Sequence, residues 1–537
     1  MKIRKALIYG CLLLLPLLAQ SATYYVATNG VDGRIGTDWS TAVATISNAV
    51  GALAIANGDV VLVSNGTYII SEEILIDRGI TVRGFSGEPR DVLIDGNDAV
   101  RCVRIWHSGA TLADLTVTNG RTSSGDAYVG GAGIYVSLSS GGTISNCHIS
   151  GNNAFGDGGG LMFSERARIY GCHVYGNHAA GNGGGLRLAA NNPLTATSII
   201  EQCVVYDNVA DGNGGGICAR NSFIEIRNSV ISNNMAVGDG AGIWLENYES
   251  NHFSRLINVA VCENKADNNA GGIYLHRGNG LIDGCIISNN SAAVQCAGVM
   301  LTAPRTAGHS RSIILNSIII GNTGNGYGAV RSSSAIISNC FVIRNVSTNN
   351  NGLGAGIYAG DATELYNCLV AGNTNSHDMD RGGAGMHFYQ MTGKIHNCTI
   401  AGNTTQTSGG GIWFSDDYTN EFLNCIIFGN TAGNSGTEDI GWRTGRGSVT
   451  NNFARSCSAI ALKPDSDNIS ADPLFADPGN GNFRLQAGSP CVNAGLNREW
   501  MTDAVDLDGR PRLDRFTRLV DMGCYEYVWR GTMFNLK

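Results

Sequence analysis

The chain has 537 residues, 43% hydrophobic and 15% charged, with 74 glycines and a net charge of −8. The acidic balance and sparse charge exclude a nucleic-acid partner, because phosphate binding needs a basic surface. So apolar a composition also excludes a disordered chain.

Residues 1–22 read as a secretory signal: basic Lys2, Arg4 and Lys5, an apolar run from Leu12 to Leu18, and small residues around Ser21 and Ala22. Cys11 precedes the apolar core, the wrong place for a lipoprotein cleavage site. No other stretch reaches the roughly 18 apolar residues of a membrane helix. The mature chain is therefore expected to be exported, extracellular or attached to the outer membrane or cell surface, monomeric, and without a transmembrane span.

Residues 23–129 form the opening of the fold. Positions 45–53 carry apolar residues at helical spacing and predict an amphipathic helix that covers the first exposed core. Short β-rich runs follow, at Val60 to Val63, Ile74 to Ile76 and Ile80 to Val82. They resemble the first coils of pectin lyase and pectin methylesterase folds.

Residues 130–430 are built on a repeat. Its anchors are Cys147, Cys172, Cys203, Ser229, Val259, Cys285, Ser317, Cys340, Cys368, Cys398 and Cys425. Five residues after each stands an asparagine: Asn152, Asn177, Asn208, Asn234, Asn264, Asn290, Asn322, Asn345, Asn373, Asn403 and Asn430. The mean spacing, (425−147)/10 or about 28, lies in the range where repeats signal stacked coils. An apolar residue two beyond each anchor puts both on the inner side of a strand. The asparagine falls where the chain turns. It tolerates left-handed backbone, and its amide can bond to the local backbone and to its copies above and below. Glycine triplets such as Gly158 to Gly160 and Gly409 to Gly411 let the next turn pass close to its neighbours.

These features predict an all-β, right-handed parallel β-helix with an N-terminal capping helix and a small C-terminal cap module. Glycine-glycine-alanine-isoleucine segments, with an aromatic or aliphatic residue before the asparagine, resemble the repeat of polymorphic outer membrane proteins, β-helices of the pectin-lyase-like superfamily. Most copies here carry Ile or Val, as at Ile149 and Ile400, where that family prefers Phe.

In residues 431–537 the pattern changes to turn-rich motifs around Asp472-Pro473, Gly488-Ser489-Pro490-Cys491, Asp506 to Arg512, and Asp521 to Tyr527. Together they resemble the choice-of-anchor Q module, which implies a cap that links the protein to a cell surface. The anchor cysteines are expected to be stacked free thiols. Cys491 and Cys524, outside the ladder, are the disulfide candidates.

The Asn-Thr-Asp, Gly-Asp-Asp, Gly-His-Gly and Arg-Ile-Lys motifs of polygalacturonases are absent, and no acidic residue recurs at one coil position as a calcium-dependent pectate lyase would require. Asp416 and Asp417 are the one adjacent acidic pair in a coil loop. His148 and His173 fall one coil apart, a pattern more typical of surface imidazoles than of a metal pair.

Strand alternation makes the residue after each post-glycine apolar position face solvent. That row includes Trp244, Tyr274, Tyr358, His387 and Trp413, with Glu246, His276 and Tyr389 two residues beyond. With Asp416 these make a candidate aromatic face for a polysaccharide or a surface protein partner. The expected function is adhesion or glycan binding at the cell surface. The alternative is a lyase or hydrolase acting on an acidic polysaccharide. No cofactor is expected; calcium enters only under the lyase alternative.

Overall fold

The structure is a computed structural model that describes residues 21–528, apart from 52–53, 127, 138–140, 164–165, 190–196, 247–253, 278, 303–310, 349–352, 377–381, 390–391, 416–419, 444–451, 461 and 463–465. Residues 1–20 of the expected signal, together with Asp416 and Asp417, lie outside the described residues.

One coil shows the pattern. Ile134–Val136, Gly142–Ser145, His148–Ser150 and Asn153–Ala154 are four short strands in succession. Leu161–Phe163 then returns to pair in parallel with Ile134–Val136, Ile134 opposite Leu161. Repetition builds four parallel sheets, of 14, 16, 15 and 10 strands among the described residues. They are called the first to fourth sheets, in the order in which a coil visits them. The chain is thus an all-β parallel solenoid. The short helix Ile46–Gly51 buries Ile46, Ala49 and Val50 against the first coils, as a solenoid end requires.

Inward residues stack coil on coil. Ile134, Ile144 and Ile149 are succeeded by Leu161, Ile169 and Val174, and then by Leu186, Ile200 and Val205, all within one continuous core. The anchor cysteines line the same core as free thiols.

The asparagines do not themselves take the left-handed backbone. That role falls to the residue just before each, such as Gly151 (φ 64°), Asp207 (φ 54°) and Arg344 (φ 55°), and to the residue before each anchor, such as Asn146 and Asn397. The turn thereby aims the asparagine side chain inward. Asn177 Nδ2 donates to Asn208 Oδ1 at 2.9 Å and to the Ile149 carbonyl at 2.9 Å, while its Oδ1 accepts from Asn152 Nδ2 at 2.9 Å. The same links run from Asn152 through Asn430. The glycine triplets cross beside this ladder. A Cβ on Gly184 would lie 2.4 Å from the Val209 carbonyl oxygen, so the middle position of that coil has no room for one.

After the last coils the chain folds back over the outer side of the third sheet. Phe475, Phe483, Leu485, Cys491, Met522, Cys524 and Tyr525 form one apolar layer with Leu369, Ala371, Ala401, Ile426 and Cys457 of that sheet. Polar clamps flank the layer: Asn424 Nδ2 donates to the Leu496 carbonyl at 3.0 Å and its Oδ1 accepts from Leu496 N at 2.7 Å. Arg512 is fully buried and contacts Glu526 Oε1 at 3.2 Å.

Candidate functional site

The predicted aromatic row leaves the first sheet on its outer side, but it is not exposed. Trp244 is 7% exposed and Trp413 2%, with Tyr274, Tyr358 and His387 also buried. Alternation decides which way a side chain leaves a sheet, not whether something lies above it. Here the turn before each strand lies above it. A Cβ on Gly240 would stand 2.8 Å from Trp244 Cβ, and one on Gly383 3.1 Å from Trp413 Cβ. Trp244 and Tyr274 join Cys218, Ala270, Cys296 and Met300 in an apolar seam beneath these turns. Of the named aromatics, Tyr389 alone is open, at 42%. Its ring lies 6.3 Å from Tyr358, which stacks on His387 at 5.3 Å. Trp413 pairs with His387 in register.

The next row outward brings the polar groups together. Arg220, Glu246 and His276 are consecutive partners on adjoining coils. The Glu246 carboxylate is buried. It meets Arg220 Nε at 3.1 Å through Oε2, and His276 Nε2 at 3.5 Å and Arg277 Nη1 at 3.9 Å through Oε1. His276 Nδ1 hydrogen-bonds Tyr274 Oη at 2.9 Å, and its ring stacks on Trp244 at 6.0 Å. Burial, with Asp239 adding to it, raises the Tyr274 phenol above its ordinary value, so it stays protonated at neutral pH. The arrangement is a buried carboxylate between two guanidinium groups that reach solvent, beside a His–Tyr pair able to relay a proton.

Four predicted residues therefore converge: Trp244, Glu246, Tyr274 and His276. Tyr358, His387, Tyr389 and Trp413 form a separate group further along the same face. Sequence reasoning missed Arg220 and Arg277. Arg220 was legible, since it stands two beyond Cys218 in the row of Glu246. Arg277 was not, because its left-handed φ of 54° breaks the alternation.

Cys491 and Cys524 are both free thiols within the apolar layer over the third sheet. Cys524 N donates to Thr399 Oγ1 at 3.1 Å, whereas Cys491 N donates to Ser489 Oγ at 3.2 Å. The rings of His148 and His173 lie 5.0 Å apart on the third sheet. Among the described residues no group of three or more His, Cys, Asp or Glu is placed to hold a metal ion. Nor, among them, is any helix long and apolar enough to cross a membrane.

No curated protein matches the sequence. Three solved structures are similar to this chain over most of its length. A pectate lyase, Pel9A, is 12% identical over 95% of this chain and 97% of its own, with a TM-score of 0.29. XylC, in complex with xylose, is 12% identical over 95% and 99%, TM-score 0.31. A mannuronic acid specific family 6 polysaccharide lyase from human gut microbiota is 10% identical over 86% and 94%, TM-score 0.33. The model of the right-handed β-helix region matches residues 78–258 and 255–390, more than half of the sequence. The chain is a member of the right-handed β-helix family.

Proposed function

We propose that the protein cleaves an acidic polysaccharide by β-elimination at the Glu246 cluster. The observation that carries this reading is Glu246 itself: a buried carboxylate that holds Arg220, Arg277 and His276 in fixed positions on the outer face of the first sheet. Two guanidinium groups suit a uronate carboxylate and the extra charge it gains as the neighbouring C–H bond breaks. His276 accepts that proton. The bond to the leaving oxygen then breaks, and the His276 imidazolium, held through Nδ1 by the Tyr274 hydroxyl, gives that proton to the leaving oxygen. The cluster offers cations and a proton relay rather than the two facing carboxylates of a glycoside hydrolase.

Incubation of the full chain with polyuronates, with and without calcium, tests the reading through the ultraviolet absorbance of the unsaturated product. That absorbance is expected from wild type and lost in Arg277→Ala. Reducing ends without unsaturation would replace elimination by hydrolysis.

A second reading, glycan binding without cleavage, is favoured by Tyr389, whose exposed ring above Tyr358 is suited to stacking on a sugar. Retention on insoluble glycans with no product would select it. Under either reading we propose that residues 1–22 direct export, that residues 431–537 act as an anchor-type module, and that the repeats descend from the polymorphic outer membrane protein type.

A further inference from the structure

Trp106 leaves the first sheet on its outer side and is 43% exposed. It follows Ile105 of the strand Val103–Ile105. The register partners of Ile105 run coil by coil through Val136, Phe163, Leu188 and Ala219 to Leu245, the residue before Glu246. Trp106 therefore shares the outward row of Glu246, five coil steps or about 24 Å away at about 4.8 Å per step. In the other direction, five steps from Leu245 through Leu275, Leu301, Ser332 and Ala359 reach Phe388, the residue before the exposed Tyr389. Two open aromatic rings thus flank the Glu246 cluster at equal distances.

The Trp106 ring is held in place. The Arg104 guanidinium lies 5.2 Å from its centroid, and Tyr128 meets it edge-on at 6.3 Å. Tyr128 is fixed in turn: it stacks on the buried Tyr135 at 4.9 Å, and its carbonyl accepts from Arg101 Nη2. Arg101 is fully engaged in this turn, with Nε donating to the Gly131 carbonyl at 3.0 Å, Nη2 to the Gly130 carbonyl at 3.0 Å and Nη1 to Glu73 Oε2 at 2.9 Å. Arg104 is not. Its one ion-pair partner among the described residues is Glu73, met at 2.7 Å through Nη2 and Oε1. Glu73 is thus divided between two guanidinium groups, which leaves one positive charge in excess beside the open indole.

We propose that Trp106 and Arg104 form a binding site for a carboxylated sugar residue. A flat indole face stacks on the C–H face of a sugar ring, and a guanidinium with unused donors beside it pairs with the carboxylate. A cationic ligand would be repelled by the excess charge on Arg104, and a neutral sugar would leave that charge unpaired. The site stands outside the Glu246 cluster; only its link to cleavage rests on the reading of that cluster as the reacting centre. A polyuronate chain laid along the row is gripped at Trp106 while its bond breaks about 24 Å away. Long chains gain from this grip. An oligouronate of two or three residues is too short to reach from Glu246 to Trp106.

Calorimetric titration of the full chain with polygalacturonate, polymannuronate and neutral mannan provides the test, in the Glu246→Gln background so that turnover does not distort binding. A polyuronate is expected to bind, and mannan to bind about tenfold more weakly or less. Adding Trp106→Ala should weaken polyuronate binding about tenfold, while Trp106→Phe, which keeps a ring, retains most of it. Arg104→Lys keeps the charge but not the planar fork and should fall between. In the otherwise wild-type chain, Trp106→Ala should raise KM severalfold on the polymer and leave KM on trimers, and kcat on both, unchanged. Equal affinity with and without the Trp106 ring, equal binding of mannan, or binding of neither polyuronate overturns the site. Weakened binding in Trp106→Ala when wild type releases no product keeps this site and removes the Glu246 reading. Product release by Trp106→Ala at an unchanged polymer KM keeps the Glu246 reading and removes this site.

Discussion

Asn430 Nδ2 donates to Asp439 Oδ1 at 2.9 Å, and Asn430 N to the same oxygen at 3.3 Å. Every earlier asparagine in the ladder passes its donors to the next, so the last needs a group that only accepts. Asp439 supplies it nine residues later in sequence, and its Oδ2 also accepts from Ala459 N at 3.1 Å. At the other end Gly120 N donates to Asn152 Oδ1 at 2.8 Å, so the buried amides are satisfied at both termini.

Asp439→Ala should therefore destabilise the solenoid by about 1–3 kcal/mol for each buried donor left without an acceptor. Asp439→Asn retains an acceptor and should cost less. Denaturant unfolding of both variants checks the order; equal losses would remove the capping role.

Ala270 has a φ of +56° at a position where the neighbouring coils carry glycine, as at Gly240 (φ 63°) and Gly214 (φ 67°). Left-handed backbone costs a residue with a Cβ about 1–2 kcal/mol, partly offset by glycine's greater unfolded entropy. Ala270→Gly should raise stability by about 0.5–1 kcal/mol. A lower unfolding midpoint would refute the strain.

Burial pushes Asp521 up to about 6 and Glu526 up to about 8, with Arg512 opposing both shifts without overcoming them. Both folded values lie above the ordinary carboxylate range, so the folded module takes up protons more readily than the unfolded chain. Their contribution is greatest in acid and is lost as pH rises through about 6 and then about 8. Release of the module by protease should be faster at about pH 9 than at about pH 6, and a flat profile would refute the linkage.

Replacing Trp244 with Ala should act on stability, at a cost of about 3–5 kcal/mol, because the ring is packed beneath a turn rather than offered to a ligand. Glu246→Gln leaves its cations less firmly placed and should lower kcat on a polyuronate by about 10²-fold while the unfolding midpoint moves little. Activity equal to wild type in Glu246→Gln would sink the assignment of the site.

The period, the anchor ladder and the asparagine row are enough by themselves to require stacked parallel coils. A residue that recurs once per coil at an inward position leaves the chain few other ways to bury it, and repetition multiplies a weak local signal. The sequence also placed Glu246 and His276 on one outward row, since strand alternation is a local property. Tertiary structure decided what lies above that row. Turns laid over Trp244 and Trp413 turned an expected binding face into a second packing seam, and left a smaller polar cluster reaching solvent beside them. It also decided that the C-terminal module folds over the third sheet, and that Asp439 ends the ladder. These contacts join segments with no shared period, so each depends on how a non-repeating stretch folds back onto the stack, which no local pattern in the chain records.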